Sequence, residues 1–111
     1  MKKYVYILTD RNRNTMHVGM SADIMKTMSF YREMPNLFFD TTQQLNRLVY
    51  FEELNTEDAV MQRFKLLSQF TRAQKERIVR SVNPDWIDLT IGLDFENILM
   101  QPQFQPMARV A

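Results

Sequence analysis

Tyr4 and Tyr6 alternate on one short apolar run, and His17, the chain's single histidine, stands on the next. A phenol holds or passes a proton, and an imidazole changes charge near neutral pH, so these residue types suit proton transfer. Side by side at one end of a hairpin they would form an active site. Apart, the tyrosines are core residues with satisfied hydroxyls, and the histidine is an exposed strand-end residue.

The elements that must position them begin with Tyr4-Val5-Tyr6-Ile7-Leu8. A short, unbroken apolar run followed by a turn predicts a strand buried on both faces. Asp10 to Asn14 is polar and tolerates left-handed backbone, so it is the turn, and Met16 to Met20 returns as the second strand of a hairpin. Ser21 is placed to cap a helix over 22–32, whose buried stripe is Ile24, Met25, Met28 and Tyr31. Pro35 ends that pattern, and 33–47 is a loop pinned by Leu37-Phe38-Phe39.

Leu48 to Leu54 is the third strand, with four apolar residues first, as at the middle of a sheet. Asn55 or Thr56 caps a helix to about Phe70. Thr71 and Gln74 form a capping box for a last helix to about Val82, stopped by Asn83-Pro84. Trp86 packs against the helices, 87–93 is a short strand or coil, and 95–100 a terminal helical turn. The order β-β-α-β-α-α predicts an α/β domain with a central three-stranded, mainly antiparallel sheet flanked by helices. Residues 1–91 form the domain, and 92–111 a partly mobile C-terminal extension.

Composition narrows the function classes. The 111 residues carry net charge +1, 45% apolar and 12% aromatic residues, so one core is affordable and bulk charge argues for no partner. With no cysteine and one histidine, disulfides, thiolate metal sites and histidine-cluster zinc sites fall away. No apolar run approaches the roughly 20 residues that span a bilayer, and no signal-peptide core is present, so a soluble cytoplasmic protein is expected. Nine methionines point to a plastic core, with a Met-rich binding groove as the other reading.

Together these stretches resemble the GIY-YIG nuclease superfamily, in its small single-domain bacterial form. Tyr4-Val5-Tyr6-Ile7-Leu8, then His17-Val18-Gly19, is similar to its paired motif. Leu48-Val49-Tyr50-Phe51-Glu52 resembles its third strand, and Arg72-Ala73-Gln74-Lys75 its last helix start. Asn83-Pro84-Asp85-Trp86-Ile87-Asp88-Leu89 resembles its ending, and Phe39 falls at a loop phenylalanine. The resemblance implies phosphodiester cleavage by a metal held on a helix glutamate, an arginine clamp, and hairpin tyrosines often helped by a histidine.

Carried over residue by residue, Tyr6 and Gly19 match the motif. His17 stands at the second tyrosine, Thr27 at the arginine, Tyr31 at the helix histidine and Phe64 at the metal-binding glutamate. Imidazole can still act as a base. Lys26 points about 100° around the helix from Thr27. Phe64 offers no oxygen to a hard cation, so no metal site and no cofactor are expected. Tyr31 and Phe64 are expected to pack together and close the old cleft.

The basic residues Arg63, Lys65, Arg72, Lys75, Arg77 and Arg80 cluster against Glu76 alone. With Lys26 they suggest a phosphate-facing surface, the other reading being solvated helix faces. The sequence thus leads to a degenerate nuclease-like domain, with Tyr6 and His17 as a remnant site. It would act by binding DNA or RNA through Lys26, Arg63, Lys65, Arg72 and Lys75, or by binding a protein through the apolar cleft. The remaining alternative is an active endonuclease using Mg2+ or Mn2+ on rearranged ligands.

Overall fold

The Tyr4-to-Leu8 run becomes the middle strand of the sheet. The structure, a computed structural model, describes residues 2–33 and 45–93. Strand β1 (Lys3–Thr9) pairs antiparallel with β2 (Met16–Ser21) on one side and β3 (Arg47–Leu54) on the other, in the order β2-β1-β3. A middle strand has no free edge, and side chains alternate across it. Val5 and Ile7 are therefore buried on one face and Tyr6 and Leu8 on the other.

Helix α1 (Ile24–Glu33) covers the Tyr6 face, packing Ile24 and Met28 against Leu8 and Leu48. Helices α2 (Glu57–Ser68) and α3 (Arg72–Val82) cover the Val5 face with Val60, Leu67 and Val79. Each such side chain removed from water stabilises the fold by about 1.5–3 kcal/mol. Thr56 caps α2, and Thr71 with Gln74 forms the capping box of α3. At α1 the expectation is corrected: Asp23, not Ser21, accepts the Lys26 amide at 3.1 Å, while Ser21 Oγ accepts the Asp23 amide at 2.9 Å. The helix consequently starts at Ile24.

Strand β3 lies at the sheet's edge, which corrects its placement in the middle. Its apolar start is buried because the segment after α3 covers it. The register jumps from Ile7↔Tyr50 to Leu8↔Leu48, leaving Val49 as a bulge with no strand partner. Asn83 Nδ2 donates to the Val49 carbonyl at 3.0 Å, and the Leu89 amide donates to the Leu48 carbonyl at 2.8 Å. Asn83 also holds Ile87 through both its amide and its carbonyl. That grip keeps Trp86 buried at φ 56, a left-handed backbone unusual for a bulky residue. Residues 90–93 form one helical turn rather than a strand or coil.

The hairpin turn is built around a buried carboxylate. Asp10 Oδ1 accepts the amides of Asn14 at 2.7 Å and Thr15 at 3.0 Å. Burial works against its ionisation, but the amides of Thr15, Asn14, Asp10 and Asn12 outweigh it and hold the carboxyl below its ordinary range. From α3, the Arg72 guanidinium donates to the carbonyls of Arg13 and Asn14, and the Arg13 guanidinium lies 5.0 Å over the Trp86 ring. The end of the hairpin carrying His17 is thus tied to α3. The loop phenylalanines including Phe39, the 95–100 turn and the extension beyond residue 93 lie outside the described residues. Among the described residues, no helix is long and apolar enough to cross a membrane.

Candidate functional site

On the Tyr6 face, β2 and α1 bring hydroxyls and one imidazole together. Tyr6 pairs in register with Gly19, and its phenol lies across that glycine. A Cβ on Gly19 would overlap the ring at its hydroxyl end. Gly19 does not have a positive φ, so what calls for glycine is the ring above it, not the backbone.

Tyr31, in the last turns of α1, brings its hydroxyl to 3.0 Å from His17 Nε2, and the rings lie tilted at 5.8 Å. One helical turn earlier, Thr27 Oγ1 shares a 2.7 Å hydrogen bond with Ser21 Oγ. Spacing of four residues puts Thr27 and Tyr31 on the same side of α1, facing β2. Tyr31 thus meets His17, and it packs in the same cluster as Tyr6.

Their ionisation is displaced in opposite senses. Burial, and then the adjacent Tyr31 hydroxyl, push the Tyr6 phenol well above its ordinary range, so it remains a protonated donor. Burial, and then the charge of Lys75, hold the His17 imidazole below its ordinary range, so at neutral pH it is uncharged and able to take a proton. The Tyr31 hydroxyl either donates to a bare Nε2 or accepts from a protonated one. Lys75, on α3, contributes positive charge that acts on the imidazole.

Phe64 is not part of this site. It packs in the cluster of Val5 and Ile7, whereas Tyr31 packs in the cluster of Tyr6 and Leu8. The expected Tyr31–Phe64 contact is corrected accordingly: the two rings belong to opposite faces of the sheet. Of the two carboxylates on β3, Glu52 faces the Val5 side, opposite Val5 in register, and Glu53, opposite Tyr4, is paired with Lys2. Arg63 holds Glu52 in a two-pronged pair, and the Tyr50 hydroxyl donates to it as well. Burial works against Glu52 ionisation, but Arg63 and Tyr50 win and hold it below its ordinary range. Among the described residues, no group of three or more histidine, aspartate or glutamate side chains comes together. The donors that the described residues bring together beside β2 are hydroxyls and an imidazole, not the carboxylates that hard divalent cations take.

The basic residues expected to face phosphate do not share one surface. Arg63 is held by Glu52. Arg72 is taken up by the turn carbonyls and by Glu76. Lys65 is exposed on α2, and Lys26 is exposed on α1, across the sheet. Of the five, Lys75 is the one whose charge acts on His17. Sequence reading missed Arg72 as the clamp on the hairpin and Asn83 as the clamp on the bulge. An aspartate opening a polar turn was the available signal for the buried Asp10.

No family model and no curated protein matches this sequence. Among solved structures, the chain is similar to the solution NMR structure of the UPF0213 protein BH0048 from Bacillus halodurans. The superposition has a TM-score of 0.52 at 19% identity and covers 81% of this chain and 95% of that one. The fold is GIY-YIG-like. At that identity the likeness speaks to the α/β architecture, an antiparallel sheet with helices on both faces, and the chemistry has to be read from the site itself.

Proposed function

We propose that this chain is a GIY-YIG-like domain that binds nucleic acid and does not cleave it. The observation that carries this reading is the makeup of the cleft. At the place where the resemblance puts a metal-dependent nuclease site, Tyr31 is hydrogen-bonded to an uncharged His17, Tyr6 lies on the same face of the sheet, and the charge of Lys75 reaches the imidazole. The hydroxyls and the imidazole can hold a phosphate or a base edge by hydrogen bonds, and Lys75 adds charge attraction.

Two further features support binding over cleavage. Thr27 takes the position of the clamping arginine and spends its hydroxyl on Ser21. Glu52 is engaged by Arg63 on the other side of the sheet. With no oxygen cage for a cation and no guanidinium at this site among the described residues, the groups that remain can bind and move protons but supply little of the charge that stabilises a departing oxyanion.

Gel-shift titration with short DNA and RNA tests this. Binding is expected at about 50 mM salt and should weaken with a shallow slope of roughly −1 to −2 in log–log form, one or two phosphates being neutralised. Lys75→Ala should lower that slope by about one. If neither DNA nor RNA binds at low salt, the proposal fails.

A further inference from the structure

We infer that the ligand of this cleft is an unpaired strand, with bases stacking on a row of rings that runs from Phe30 through Tyr31 to His17. The inference rests on the nucleic-acid reading above and narrows it to single-stranded DNA or RNA. Phe30 is a large apolar ring that the core does not use: it is 54% exposed, whereas its neighbours on the buried stripe of α1, Ile24 and Met28, are 5% and 1% exposed. It stands edge to face with Tyr31 at 5.7 Å, and Tyr31 lies 5.8 Å from His17. The row begins in solvent and ends at the Tyr31–His17 hydrogen bond, within reach of the charge of Lys75.

Charge around the row suits a phosphate backbone. Lys26 lies one helical turn before Phe30 on the same exposed side of α1, about 5–6 Å away between Cβ atoms, comparable to the reach from a base to its own phosphate. Neither Lys26 nor Lys75 is in an ion pair among the described residues. Four arginines are held in ion pairs: Arg32 with Asp88, Arg63 with Glu52, and Arg72 and Arg80 with Glu76. Lysines contact phosphate as point charges, and rings accept the face of any base, so the surface favours unpaired strands with little sequence preference. A duplex keeps its base faces stacked inside and offers the rings nothing.

The test is fluorescence anisotropy with a labelled 12-nucleotide oligo-dT and a 12-base-pair duplex at about 50 mM salt. The single strand should bind at least about tenfold more tightly. Phe30→Ala, an exposed change that leaves the core intact, should weaken single-strand binding by roughly tenfold, and Phe30→Trp should keep it. Equal affinity for strand and duplex, or an unchanged single-strand affinity in Phe30→Ala, would overturn the inference while leaving nucleic-acid binding standing. Absence of binding to both probes would remove the inference and the function beneath it together. Loss of self-association by light scattering in Phe30→Ala, with oligo-dT binding intact, would assign the ring to a protein contact and also overturn it.

Discussion

Replacing Gly19 with alanine tests how the site is built. The added methyl enters space already filled by the Tyr6 phenol, which is 4% exposed and has little room to retreat. Overpacking of this kind costs about 1–3 kcal/mol. Alanine also reduces the freedom of the unfolded chain, which returns roughly 0.4–1 kcal/mol where the backbone is unstrained, as it is here. The net loss should be about 1–2 kcal/mol, read as a lower urea midpoint with an unchanged slope. In a Tyr6→Leu background the far end of the ring is gone, so the same Gly19→Ala change should become neutral or stabilising. The coupling between the two positions should reach about 1–3 kcal/mol, the upper range for residues in contact. Gly19→Ala having the same cost in both backgrounds would refute the steric account and leave Gly19 as an ordinary strand glycine.

Other perturbations reach the same architecture from different sides. Asn83→Ala strips hydrogen bonds from the Val49 bulge carbonyl and from both backbone groups of Ile87, so thermal or urea unfolding should show a loss of about 2–4 kcal/mol. Because the chain has one histidine, its imidazole signals in an NMR pH titration belong to His17. They should titrate below the ordinary range near 6.5, and Lys75→Ala should move that midpoint upward. A histidine pKa lowered by folding means the unfolded chain takes up the proton first, so its contribution to stability is present above about pH 6.5 and is lost as pH falls through the folded-state value. His17→Gln should flatten that part of the stability profile between pH 7 and 5.

Much of the fold was legible in the chain because local rules and tertiary context agree there. The apolar run of β1 demanded burial on both sides, and Thr71 with Gln74 announced α3 by capping chemistry alone. The hairpin followed from alternation and one polar turn, and its register puts Tyr6 and His17 on the same face. What could not be read depended on which sheet face an element covers. Phe64 and Tyr31 each looked like a replacement at one cleft, but α1 and α2 pack on opposite faces, and helical spacing carries no information about that choice. An apolar strand start suggested a central position for β3, when a distant Asn83 and Leu89 were covering its edge. Basic residues counted along the helices could not reveal that Arg63 and Arg72 spend their charge within the molecule. Phe30 stood off the apolar stripe, and only the packed structure shows its ring next to Tyr31.

The central claim is that the cleft binds without cutting, and supercoiled plasmid incubated with Mg2+ or Mn2+ addresses it most directly. The account predicts that the plasmid stays intact, with no difference between samples with and without a chelator. Nicking that a chelator abolishes, and that Tyr6→Phe or His17→Gln removes, would contradict it.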